Sequence, residues 1–212
     1  MDKEQAALVK IGSYDHILSL RDEGLLFMNT VPYFRQIEDE ELRGDQNDSV
    51  DEIYHGHKGH VKINPANGTV SPVIKVTNFE LRIGPNEPEK INLFCMYALR
   101  PKYTFPIDPK NYRFGSHALA IYDVPEFLRQ LSKTLNESNI QAQPDLVEYL
   151  DVRHSGKVGI FKKLDAFEYQ SEWRLACFNG MGAVRKIIIG PIDDISYLTE
   201  SSKLNSEVTI CP

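Results

Sequence analysis

The sequence predicts an α+β fold, and two observations carry that reading. Short apolar or alternating runs recur along the whole chain, whereas only two stretches carry helical spacing between a start signal and a stop signal. The strands follow one another through turns rather than alternating with helices, which argues against a doubly wound parallel sheet. A third observation concerns size: 212 residues with 42% hydrophobic content can bury one sizeable core, so 1–212 is read as a single domain.

The elements follow in order. Leu8 to Ile11 is a short strand. Ser13 can cap a helix over Tyr14 to Glu23, with Ile17, Leu18 and Leu20 on its apolar face and Gly24 as its stop. Leu25 to Asn29 reads as a buried strand, and Val31 to Phe34 as a turn or irregular segment punctuated by Pro32. Glu38 to Glu52 is acidic and polar, a surface loop or short frayed helix. Tyr54 to Ile63 and Val70 to Ile83 read as two strands joined by an Asn67-Gly68 hairpin turn. Gly84 to Lys90 is a loop, Ile91 to Leu99 a central strand, and Pro101 to Pro109 a proline-rich connection. Ala118 to Tyr122 is a strand, and Val124 to Leu135 an amphipathic helix started by Asp123 and Pro125. Val147 to Val152, Lys157 to Phe161 and Lys186 to Ile189 add strands, and the chain carries no internal repeat.

Charge and cysteine usage exclude several classes. A net charge of -6 argues against a broadly basic nucleic-acid surface, though not against a local basic groove. Arg153, Lys157, Lys162 and Lys163 form one basic cluster that can hold phosphates or simply face solvent. Cys95, Cys177 and Cys211 are widely spaced and imply neither a disulfide framework nor a zinc ribbon. Cys95 and Cys177 sit in apolar runs and read as packed thiols. The charged start and the lack of a long apolar stretch give no secretory signal and no membrane span, so the expected compartment is the cytoplasm, without a membrane partner.

The most informative segment is Phe167 to Leu175, read as a loop running into a strand. Trp173, Leu175 and Cys177 alternate toward a core. Gln170 and Glu172 are two apart, so an extended backbone projects them to one side. An amide and a carboxylate held together there can orient a sugar hydroxyl and stabilise positive charge at an anomeric carbon. The plainer alternative is a solvated strand end with Glu172 and Arg174 as a weak surface pair. His55, His57 and His60 could bind a transition metal, but Gly56 and Gly59 suggest a turn and no metal ligand set is assigned. No P-loop, Gly-x-Gly-x-x-Gly or Gly-x-Ser-x-Gly motif occurs.

The stretch from Lys10 to Leu26, with its strand, short helix and Gly24-Leu25-Leu26 step, resembles the opening of ADP-ribosyltransferase-fold proteins, closest to their nucleic-acid-modifying toxin branch. Gln170-x-Glu172 is similar to the Gln/Glu-x-Glu signature of that superfamily. The Tyr-Phe-Arg, Arg-Gly-Asp and Tyr-Gln-x-Glu-Trp-Arg segments look like an uncharacterised bacterial and phage group. The resemblance covers the two ends and one middle strand. It implies a split, mostly antiparallel mixed sheet flanked by a few helices, with NAD as the cofactor.

It further implies an ADP-ribosyltransferase, a bacterial or phage conflict toxin acting on a nucleic acid or protein acceptor and held by a neutralising antitoxin protein. Glu172 would hydrogen-bond the nicotinamide ribose and Gln170 would position the acceptor. Lys10 stands where the family places His or Arg, with Ser13 and His16 as alternatives for the first NAD contact. Tyr33 and Phe34 would stack on nicotinamide or an acceptor base, or belong to the core. Arg35 or Arg43 would clamp the pyrophosphate, and Tyr97 is available for the middle-strand position. Two alternatives remain: a catalytically inactive binding protein with the same fold, and a metal nuclease built on the three histidines.

Overall fold

The structure, a computed structural model, describes residues 7–36, 48–62, 73–100 and 106–208. The chain is a mixed α+β fold of mostly antiparallel sheets with a few helices. It opens with β1 (Ala7–Gly12), α1 (Tyr14–Glu23) and β2 (Leu25–Thr30), close to the bounds read from sequence. Gly24 makes the reversal between α1 and β2 possible. It takes φ +66°, its N–H bonds the Ser19 carbonyl, and a Cβ there would sit 1.9 Å from the Gly190 oxygen. The Ser13 side chain makes no capping hydrogen bond; instead its carbonyl accepts from the Ile17 N–H at 3.0 Å.

Residues expected to form an irregular turn are helical: α2 spans Val31–Gln36. Pro32 falls in its first turn, where a missing N–H leaves no intrahelical bond unmade. The two strands expected across 54–83 are each interrupted, giving β3 (Glu52–Gly56), β4 (Gly59–Val61), β5 (Ile74–Val76) and β6 (Phe79–Ile83). β3 pairs with β6 and β4 with β5, both antiparallel, so the expected hairpin pairing holds around the breaks. Asn67 and Gly68 lie outside the described residues.

β7 (Asn92–Leu99) is followed by β8 (His117–Ile121) and α3 (Val124–Glu137). Asp123 caps α3 by accepting from the Glu126 N–H at 3.0 Å. β9 (Ala142–Leu146) departs from the sequence expectation, because Pro144 argues against a strand interior; among the described residues β9 pairs with β13 alone, and a strand edge tolerates proline. β10 (Glu148–Leu150), β11 (Gly156–Lys157) and β12 (Lys162–Leu164) replace the two longer strands expected there. The chain continues with β13 (Glu172–Cys177), β14 (Arg185–Ile188), β15 (Ser196–Glu200) and α4 (Leu204–Glu207). Among the described residues no helix is long and apolar enough to cross a membrane.

Among the described residues the main sheet has eight strands, and β7 is its pivot. β13 runs along one edge of β7, from Glu172 opposite Tyr97 to Cys177 opposite Asn92. The other edge is shared. β1 occupies one end, with Val9 opposite Tyr97, and β2 the other, with Asn29 opposite Leu93. Residues 94–96 lie between the two ladders, so β1 and β2 part company over the middle of β7.

The largest core lies on one face of this sheet, where α1 and α3 bring Ile17, Leu20 and Phe127 against Phe94, Met96 and Trp173. The Phe127 and Trp173 rings meet edge to face at 6.2 Å. Full burial of each such side chain contributes about 1.5–3 kcal/mol. Leu93 and Ala176 pack on the opposite face beneath Val31.

Candidate functional site

A cavity of about 650 Å³ opens where β1 and β2 separate. Its wall includes Lys10, Ser13 and His16 from the β1–α1 corner, Tyr33 and Phe34 from α2, and Tyr97 from β7. Gln170 and Glu172 form part of its floor. Eight of the ten residues singled out from the sequence therefore line one cavity. Arg35 is directed elsewhere: its guanidinium donates to the Asp48 and Ser49 carbonyls at 3.0 and 2.7 Å. Arg43 lies outside the described residues.

Lys10 spans the split in the sheet. Its ammonium donates to the Cys95 carbonyl at 2.7 Å and lies 4.5 Å from the centre of the Phe94 ring. Cys95 is half-buried on the cavity wall. Burial first, and then the Glu172 carboxylate, push its thiol up to about 11, which disfavours the thiolate form at neutral pH.

The floor is a closed ionic network that the sequence reading did not assemble. Alternation along β13 sends Trp173, Leu175 and Cys177 into the core and leaves Glu172 and Arg174 on the opposite face. Those two do not form a surface pair: Arg174 is 1% exposed and Glu172 8%. Arg174 Nε donates to Glu172 Oε2 at 2.7 Å. Its two terminal nitrogens donate to the Asp48 carboxylate at 2.8 and 2.9 Å, a bidentate pair, and Nη1 also donates to the Ile160 carbonyl at 2.7 Å. Lys163 completes the network, donating to Glu172 Oε1 at 2.6 Å and Gln170 Oε1 at 2.7 Å, with Asp48 Oδ2 at 3.5 Å. Two carboxylates and two cations are thus buried with no net charge.

Electrostatics follow from that closure. Burial alone raises the Glu172 and Asp48 carboxyls, but Arg174 and Lys163 outweigh it and hold both below the usual carboxylate range. Burial likewise disfavours the charged Lys163, and Glu172 and Asp48 more than reverse it. Tyr149 accepts the Glu172 backbone N–H at 2.9 Å. Burial, and then Glu172, push its phenol far up.

Gln170 and Glu172 do not share a side through an extended backbone. Gln170 ends a 3₁₀ turn over Asp165–Gln170, and Ser171 is left-handed at φ +39°. The Ser171 hydroxyl donates to the Ala98 carbonyl at 2.9 Å, tying the turn to β7. Lys163, not strand alternation, holds the amide and carboxylate together. Gln170 is 3% exposed, and its Nε2 donates to the Tyr169 hydroxyl at 3.3 Å.

Asp48, Lys163 and Arg174 carried little signal in the sequence. Asp48 sits in an acidic run that resembles a surface loop, and Lys163 in a basic cluster that resembles a solvated face. Arg174 had one clue: it alternates with Trp173 and Leu175, so burying their strand on both faces buries the arginine too. Phe27, stacked near His16 with ring centres 5.8 Å apart and also lining the cavity, went unnoticed because it lies in a run that reads as core. Of the remaining basic residues, Arg153 pairs with Asp151 and Lys162 with Glu148. His55 faces Glu80 and His57 faces Asn78. No group of three His, Cys, Asp or Glu able to hold a metal occurs among the described residues.

Comparison with protein-family models, with curated proteins and with solved structures returns no match. The cavity and its chemistry therefore carry the functional reading.

Proposed function

We propose that the chain is a nucleotide-binding α+β protein whose ligand enters the cleft between β1 and β2. Its particular activity, on this reading, is cleavage of the nicotinamide N-glycosidic bond of NAD in an ADP-ribosyltransferase-type reaction. The observation that carries the reading is the placement of Glu172 on the floor of a cavity whose wall holds Lys10, His16 and Tyr33. Lys10, His16 and Tyr33 come from the N-terminal quarter of the sequence and Glu172 from its far end, and the resemblance had put all four forward as site residues, with Lys10 in place of the family's His or Arg.

The donor set suits NAD. A cavity of about 650 Å³ falls within the range of small-molecule sites. Phe27, Tyr33 and Phe34 offer ring faces or edges to nicotinamide or adenine. The Lys10 ammonium supplies positive charge for the pyrophosphate, while the floor contributes none because its four charges cancel. An ionised carboxylate has about four acceptor positions. Glu172 uses one on each oxygen for Lys163 and Arg174, which leaves capacity for a ribose hydroxyl. As the glycosidic bond breaks, positive charge builds on the ribose, and the fixed Glu172 carboxylate stabilises it more than it stabilises ground-state NAD. Lys163 and Arg174 keep the carboxylate ionised and oriented without reorganisation during the reaction.

A second reading, a nucleotide-binding module without turnover, is favoured by the same closure: both Glu172 oxygens are already engaged by cations. Purified protein incubated with NAD separates the two. The transferase reading expects release of nicotinamide, and a loss of about 100-fold or more in Glu172→Gln. Binding of NAD with no nicotinamide released, in wild type as in the variant, would leave the module.

A further inference from the structure

We infer that the acceptor of this site is water, so that the protein is an NAD glycohydrolase. The inference rests on the NAD-cleaving reading above and names its second substrate.

Three observations point to a small nucleophile. The first is Gln170, the residue expected to position an acceptor. It is 3% exposed, its carbonyl oxygen accepts from Lys163 at 2.7 Å, and its amide nitrogen donates to the Tyr169 hydroxyl at 3.3 Å. Its side chain is thus a structural member of the floor rather than a handle offered to a large partner. The second is depth. Glu172 is 8% exposed, and its partners Lys163, Arg174 and Asp48 are 5%, 1% and 4% exposed. A macromolecular acceptor would have to carry its nucleophile down to that level. The third is volume. The cavity is about 650 Å³, on the scale of a small-molecule site rather than of a groove for a macromolecule. A water molecule, with a share of liquid volume of about 30 Å³, is the smallest acceptor such a site can admit.

The step balances without a further reactant. The bond between ribose C1′ and the nicotinamide ring nitrogen breaks, and its electron pair neutralises the pyridinium. The oxygen of water bonds to C1′ and one proton leaves to solvent. The products are ADP-ribose, nicotinamide and a proton, and nothing is oxidised or reduced. Glu172 remains ionised between Lys163 and Arg174 and stabilises the charge on the ribose.

The test uses the full chain with NAD labelled in the adenylate part, alone and with separate pools of cellular protein, DNA and RNA. The expected result is free ADP-ribose equal in amount to the nicotinamide released, with no label on any pool. Adding methanol should divert part of the product to methyl ADP-riboside, because a second water-sized nucleophile reaches the same position. Label on one pool in excess of free ADP-ribose would overturn water as the acceptor while keeping the transferase reading. NAD left intact, whether bound or not, would overturn the inference together with the reading beneath it.

Discussion

The floor and the rim of the cavity are built on opposite principles. The floor is charged, buried and internally paired: Lys163, Glu172 and Arg174 satisfy one another and Asp48, which comes from more than a hundred residues away. The rim is aromatic and open, with Phe27 37% and Tyr33 44% exposed. A floor residue that loses its partner leaves an uncompensated buried charge, so its removal is felt by the whole fold. A rim residue already meets water, so its removal is felt by a ligand. On the proposed nucleotide-binding reading, stability and recognition fall to different side chains of one site, and substitutions should separate them.

The largest effect is expected at Arg174. Arg174→Met strips Asp48 of its bidentate partner and Glu172 of one of its two cations, and should cost about 3–5 kcal/mol in urea unfolding. A loss below about 1 kcal/mol would place the network with ordinary surface pairs and end the contrast.

Acid should come next. Asp48 and Glu172 titrate below their unfolded values in the folded chain. Their stabilisation is complete above the unfolded pKa values, about 3.9 and 4.3, and is lost as pH falls through the lower folded ones. Lys163 is raised, so its contribution is complete below about 10.4 and lost only as pH climbs through its folded value. Thermal melts should be level from about pH 5 to 9 and fall below about pH 4. A melting temperature that keeps rising as pH drops from 5 to 3 would contradict the network.

At the rim, Phe27→Ala and Tyr33→Ala should weaken NAD binding by about 1–3 kcal/mol per stacked ring, read by calorimetry. Their unfolding free energies should stay within about 0.5 kcal/mol of wild type. Equal losses in binding and stability would assign these rings to the core.

The smallest effect is expected at Ser171→Gly, where two terms of about 1 kcal/mol oppose each other. Glycine relieves the left-handed backbone, and loss of the hydroxyl removes the bond to Ala98. Chemical denaturation should find a net change within about 1 kcal/mol.

Legibility in the sequence tracked the range of the interaction responsible. β1, α1, β2, β7, β8, α3 and β14 were readable because local spacing and local stop signals define them, as Gly24 does for α1. β9 was hidden by Pro144, and β12 was displaced from its expected place because its partner β10 is set by parallel pairing rather than by a hairpin turn. β3 to β6 read as two strands from sequence because the interruption at Thr77–Asn78 has only Asn78, at φ +55°, as a breaker, and Gly56 and Gly59 around His57–Lys58 suggest a turn without ending the alternating run.

For the site, the sequence by itself determined the α+β class, and a family resemblance put Lys10, His16, Tyr33 and Glu172 forward as candidates. Only the tertiary structure decided that they share a cavity, because that depends on β1 and β2 dividing one edge of β7 between them. It also decided the state of Glu172. Whether a carboxylate faces solvent or is locked by two cations depends on Asp48, Lys163 and Arg174 converging from separate parts of the chain. Charge patterns along a sequence do not encode that convergence, since the same residue types are far more often solvated.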